Sequence, residues 1–166
     1  MEYLDVVDRD DHVIGRASKE DIYKKKLLHR IVHILIFNKK GDMLLQMRSK
    51  ECGYKPLHWS TAVGGHVQSG EGCEAAALRE YEEELGAKSE LELLAKEFYK
   101  GFEGPDKFLV TFKSVFDGPF RPDQHAVASI GFFSLSRIKQ MIEEGQPFHP
   151  ELLFLLRSHF GFKNLL

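Results

Sequence analysis

One stretch, GHVQSGEGCEAAALREYEEELGA at residues 65 to 87, constrains this chain more than any other. From about Gly72 to Leu85 it holds no Pro and is dominated by Ala, Leu, Arg and Glu, which lose little freedom in a helix. Gly86 follows directly, where a residue without a side chain best adopts the left-handed C-terminal cap. Upstream, Gly64-Gly65 lets the backbone turn sharply and approach another group closely. The segment therefore reads as a loop, a helix and a firm stop.

The helix so defined has two unlike sides. Ala75, Ala76, Leu78, Tyr81 and Leu85 offer apolar contact toward a sheet. Glu80, Glu83 and Glu84 stand at i, i+3 and i+4, so their side chains converge on one face. Three like charges repel, and a hard divalent cation relieves that repulsion, because Mg²⁺ takes oxygen ligands and completes its shell with waters and substrate phosphates. A Glu-rich run alone is usually a solvated helix face, but the flanking glycines argue for a ligand site. Arg79 can pair bidentately with Glu71, pinning the preceding loop to the helix and fixing the rotamers of neighbouring carboxylates.

The remainder of the chain alternates strands and helices. Residues 3 to 15 read as a hairpin around the polar cluster Asp8 to Asp11, added to an edge of the main sheet. Ile31 to Phe37 and Met43 to Met47 form a second, central hairpin around Gly41, and Leu57 to Val63 leads into the glycine pair. Further strands are expected at 91 to 99, 108 to 116 and 129 to 133. Ser136 is positioned to cap a short helix ending at Gly145, and Pro150 to begin a last helix through His159. The connections at 101 to 107 and 117 to 128 are long enough to border a pocket.

At 166 residues and 43% hydrophobic content the chain supports one core, so residues 1 to 166 are expected to be a single domain. A net charge of -2 without a basic stripe argues against nucleic acid. No apolar run approaches a membrane span, and the acidic start MEYLDVVDRD lacks the flank of a signal peptide, so a cytoplasmic protein is expected. Cys52 and Cys73 have no zinc-ligand spacing and are read as reduced thiols. A homodimer, the commonest soluble assembly, is the default.

Gly65, Glu71, Arg79, Glu80, Glu83, Glu84 and Gly86 follow the spacing G-x5-E-x7-R-E-U-x-E-E-x-G-U and resemble the Nudix box. Seven specified positions recur by chance at roughly one in 10^8 per starting point, so coincidence is no serious competitor. The resemblance implies an α+β Nudix fold, a mixed β-sheet sandwiched between helices. It also implies hydrolysis of a small diphosphate with Mg²⁺, or Mn²⁺, as cofactor. It assigns Glu80, Glu83, Glu84 and the Gly65 carbonyl as metal ligands, and Glu71 with Arg79 as the supporting pair. Tyr81 is bulkier than the aliphatic residue usual at its place in the box.

Many members draw a further carboxylate from nearer the C-terminus, and the matching positions here are Ala126 and Ser129. Glu84 is the preferred general base, with Glu83, Glu103, Asp106 and Asp123 as alternatives. LHRIVHILIFNKKGDMLLQMRS and HWSTAVGGHVQSGE resemble the subgroup around isopentenyl-diphosphate isomerase. Those isomerases carry a catalytic cysteine five residues after a Trp matching Trp59, and that place is Gly64. His29 and His66 resemble two of their metal-holding histidines, with Ile22 near the place of a third. Hydrolase is thus the first reading, isomerase the second, and a diphosphate-binding module without turnover the third. Trp59, Tyr54, Phe102 and Phe120 are candidates to cover the substrate's remaining part, and Arg48 and Lys55 to touch a second phosphate.

Overall fold

The computed structural model describes residues 1 to 163, so the last three positions of the expected domain lie outside the described residues. Its strands are β1 (Tyr3–Val7), β2 (Val13–Ser18), β3 (His29–Phe37), β4 (Met43–Arg48), β5 (Trp59–Thr61), β6 (Val63–His66), β7 (Glu92–Tyr99), β8 (Lys107–Val115) and β9 (Val127–Phe133). The helices are α1 (Lys19–Lys24), α2 (Cys73–Leu85), α3 (Leu135–Glu143) and α4 (Pro150–His159). The main sheet runs β5-β4-β3-β8-β7, with β6 joined to β3 and β9 to β4. Only β3 and β8 are parallel, so the sheet is mixed and the fold is α+β, as expected.

Alternation along the strands assigns the two layers of helices. Val32, Ile34 and Ile36 of β3 and Leu44 of β4 pack with Ala76, Ala77, Tyr81 and Leu85 of α2. Leu35, Phe37, Met43 and Leu45 face the other way, against Ile138 and Met141 of α3 and Leu152, Leu155 and Leu156 of α4. Coverage on both faces explains the apolar run of β3 from Ile31 to Phe37, interrupted only by buried His33, since a strand exposed on one side would alternate with polar residues.

β3 and β4 pair only at Phe37 and Met43. Beyond that point β3 turns to β6 and β8, while β4 turns to β5 and β9. The expected central hairpin is therefore splayed, and the gap between its arms opens a cavity.

Several local expectations need correction. The first hairpin extends to Ser18 and makes its own two-stranded sheet instead of extending the main sheet; a bridge from Leu4 to Gln68 and contacts such as Ser69 with Asp5 and Arg30 with Asp11 tie it to the remainder. Ser134, not Ser136, caps α3: its hydroxyl accepts from the Arg137 amide, the three-residue reach an N-cap needs. On α2, Ala75 is exposed and Ala77 is buried in its place. Helix α1, capped by Ser18 accepting from the Asp21 amide, is six residues long and too short to show a period. No helix among the described residues is long and apolar enough to cross a membrane.

Candidate active site

The box begins on β6, where Gly64 and Gly65 lie opposite His33 and Val32 of β3. Glu80 folds directly over Gly65, so a β-carbon at residue 65 would fall within its carboxyl group. Gly65 is thus required by close approach, while Gly86, at φ 58°, is required by the left-handed cap of α2.

Arg79 binds this arrangement together. Its Nε donates to Glu71 Oε1 at 2.7 Å and its Nη2 to Glu71 Oε2 at 3.0 Å, the expected bidentate pair. Nη2 also donates to the His66 carbonyl at 3.0 Å, and Nη1 to Glu80 Oε1 at 2.9 Å and Glu83 Oε2 at 3.3 Å. Glu71 further accepts from the Gln68 amide at 2.9 Å. The guanidinium holds the Glu71 carboxyl below its usual range, and Glu71 in turn raises the Arg79 pKa. One side chain thereby fixes the loop, the strand end and two of the three clustered carboxylates.

The three glutamates are not equivalent. Glu80 and Glu84 line the cavity, whereas the Glu83 side chain is 58% exposed and turns to Arg79. Burial pushes the Glu84 carboxyl well above the ordinary range, against the hydrogen bond from Gln46, and the nearby Glu80 charge adds to the rise. Glu80 is raised too, first by burial, despite Arg79. Two adjoining, half-buried carboxylates, each with one oxygen held by a donor from Arg79 or Gln46, stand beside a backbone glycine and form an all-oxygen donor set, which fits a hard divalent cation. Glu80, Glu84 and the Gly65 carbonyl would hold it, with Glu83 at the rim.

The cavity, about 540 Å³, runs from these carboxylates to the N-terminal end of α4. At that end Glu151 joins His33 Nε2 at 2.9 Å and accepts from Lys107 Nζ at 2.9 Å, while His33 Nδ1 meets Thr61 Oγ1 at 2.7 Å. Glu151 is held far below its usual range because the His33 bond and the Lys107 charge outweigh its burial. His149 accepts from the Glu151 amide at 3.1 Å through Nδ1, which places its proton on Nε2.

A second group comprises Tyr23, His29 and His66. The Tyr23 hydroxyl and His66 Nε2 share a hydrogen bond at 2.7 Å, and the His29 and His66 rings stack at 5.7 Å. Lys107 lies against the Tyr23 ring, and its charge adds to the burial that depresses both histidines. Ile22, near the place of a third histidine, is buried in the core.

Burial lowers His29 to about 4, and His66 and His149 each to about 3, from an ordinary 6.5. Between roughly pH 4 and 6.5 the unfolded chain therefore binds up to three more protons at these residues than the folded chain. Their contribution is complete above 6.5 and is lost as pH falls. The raised carboxylates of Glu80 and Glu84 act in the opposite sense, with two protons at most. Denaturant titration without metal is expected to give lower stability at pH 5 than at pH 7, and equal or higher stability at pH 5 would contradict the assignment.

Other sequence candidates find different places. Tyr54 and Phe102 line the cavity, and Phe102 is almost fully exposed there. Trp59 instead packs on Phe133 and donates to Gln146, and Phe120 joins Phe116 and Phe132. Arg48 is engaged by the carbonyls of Tyr54 and Lys55, and Lys55 pairs with Glu103 at 3.2 Å across the cavity mouth. Asp106 accepts from the Gly101 amide and Asp123 from the His125 amide, so both serve loops.

Of the two long connections, 101 to 105 borders the cavity. The 117 to 128 loop instead closes the end of α2, through Arg121 and Asp123 amides donating to the carbonyls of Leu85 and Glu84. Both cysteines are free. The exposed trio Asp8, Asp10 and His12 belongs to the β1–β2 turn, whose Asp10 and His12 amides donate to Asp8. Gln46, His33, Lys107 and Glu151 had no sequence signal, because their partners lie 16 to 118 residues away.

Comparison with known proteins identifies the fold and the family. A family model described as NUDIX domain matches residues 27 to 156. An isopentenyl-diphosphate Delta-isomerase 2 of Photorhabdus laumondii is 35% identical over 119 residues, covering 72% of this chain and 67% of that protein. An uncharacterized Nudix hydrolase of Nostoc sp. is 31% identical over 167 residues, 97% of each. A crystal structure of a Deinococcus radiodurans protein superposes with a TM-score of 0.82 at 24% identity, covering 95% of this chain and 98% of that one.

Proposed function

The chain belongs to the Nudix family, and on that premise we propose that it hydrolyses the diphosphate linkage of a small metabolite in a Mg²⁺-dependent reaction, with Mn²⁺ as a substitute. The observation that carries this reading is the pairing of Glu80, folded over Gly65, with the neighbouring Glu84 carboxylate at one end of a cavity large enough for a small ligand. We read residues 1 to 166 as the single working domain.

A divalent cation held by Glu80, Glu84 and the Gly65 carbonyl would neutralise charge on the phosphoryl oxygens. The chain's own groups do the remainder. Glu84, within the cavity, takes a proton from the attacking water as its oxygen bonds to phosphorus and the bond to the bridging oxygen breaks. Arg79 and Glu71 keep the loop and Glu80 in register. Lys107, anchored by Glu151, and the aromatic rings of Tyr54 and Phe102 border the space left for the group attached to the diphosphate.

The isomerase reading has one observation in its favour, the likeness to proteins of that name. Against it stands Gly64, which has no side chain to move a proton at the place of the catalytic cysteine. Incubation of nucleoside, sugar, coenzyme and isoprenoid diphosphates with Mg²⁺ in ¹⁸O water tests the choice. Solvent oxygen is expected in a phosphate-containing product, with no turnover in excess chelator. Dimethylallyl product from isopentenyl diphosphate at catalytic rates would overturn the hydrolase reading. No reaction across the panel would favour a binding module.

A further inference from the structure

Gln46 is the one carboxamide on the α2 face of β4 among the described residues, where the alternation that buries Leu44 calls for an apolar side chain. It is 3% exposed, so its amide has given up water and must find partners within the protein. Both hydrogens of its Nε2 are used: one goes to the Ala62 carbonyl at 2.8 Å, the other to Glu84 Oε1 at 2.8 Å. Ala62 is the single residue between β5 and β6, and its carbonyl can only accept. That contact alone dictates which way the carboxamide faces. The reverse orientation would set the Gln46 oxygen against an oxygen on each side.

We propose that Gln46 is a positioning residue for the metal site, a fixed donor that occupies one oxygen of Glu84 and so holds the carboxylate in place beside Glu80. The role rests on the metal-dependent reading above. Without the donor, Glu84 keeps its place in the cavity and its contacts with the Gly64 backbone and Glu80 but loses the partner that fixes Oε1, so its carboxylate spends less time in the orientation a cation needs. A hydrogen-bond partner behind a ligating carboxylate is commonly worth about 10- to 100-fold in metal affinity. The sheet supplies the rigidity, because Gln46 is paired on both sides, to Ser60 and to Ile130.

The test is Mn²⁺ binding, read from the electron paramagnetic resonance signal of the free ion in the absence of substrate. It compares wild type, Gln46→Leu, Gln46→Met, Glu84→Gln and the double variant Gln46→Met with Glu84→Gln. Met keeps the length of the side chain without a donor, and serves if the Leu variant does not fold. Gln46→Met is expected to weaken Mn²⁺ about 10-fold or more. In the Glu84→Gln background the same change should add less than about twofold, because a residue acting through Glu84 has nothing left to act on.

Wild-type affinity in Gln46→Met, or a full additional loss in the double variant, overturns the role of Gln46 while leaving the metal site in place. Unchanged binding in Glu84→Gln overturns the metal site and this role with it. Protection against heat by Mn²⁺ should fall in parallel with affinity, whereas a merely structural role would lower the melting temperature equally with and without the ion.

Discussion

Replacing Glu84 by Gln is expected to lower kcat/KM toward any accepted diphosphate by about 10²- to 10⁴-fold, the range associated with loss of a positioned proton acceptor. The folded state should not suffer. Burial raises the Glu84 carboxyl above its ordinary range, so its proton-linked contribution to stability is present at low pH and lost as pH rises through the raised value. Near pH 8, without metal, the wild-type protein bears a buried charge next to Glu80 that the Gln variant lacks. The variant should therefore unfold at the same or a higher temperature there, and Mg²⁺ should stabilise only the wild type. Thermal unfolding with and without Mg²⁺, beside steady-state kinetics, measures both effects. A variant retaining its rate would place the chemistry elsewhere. Glu83→Gln should cost less, since that side chain is more than half exposed and already shared with Arg79.

The second large effect is expected from a single methyl group. In Gly65→Ala the new β-carbon overlaps the Glu80 carboxyl group, which has to leave its place over the backbone. Glu80 is tied to Arg79, and Arg79 to Glu71, so the displacement reaches the loop as well. Misplacement on the scale of 1 Å can cost on the order of 10² in rate, and that loss is expected in kcat/KM, with a weakened Mg²⁺ dependence. Gly64→Ala is the control one residue away. Its β-carbon would lie 3.1 Å from His33 Nδ1, a tight contact, and 3.5 Å from Thr61 Oγ1, an ordinary one, with Glu80 not among its nearest neighbours. Similar losses in the two variants would show that the glycine pair matters for the strand alone.

Sequence spacing by itself determined the α2 helix, its Gly86 stop and the pairing of Arg79 with Glu71. Each of these depends on residues within one helical turn or one short loop, where backbone geometry leaves few choices. The order of most strands was legible for a related reason, since apolar alternation and turn residues are local signals. Three other matters were decided only by the tertiary structure. Glu84 became a half-buried cavity group and Glu83 a rim group because α2 lies on the sheet along Ala76, Ala77 and Tyr81, which turns one glutamate inward and the other out. The cavity exists because β3 and β4 part after Phe37 and Met43, a divergence set by their separate pairing with β6, β8, β5 and β9. Gln46, His33, Lys107 and Glu151 gained their roles from partners far away in the chain, and a hydrogen bond between distant residues leaves no period or spacing in the sequence that encodes it.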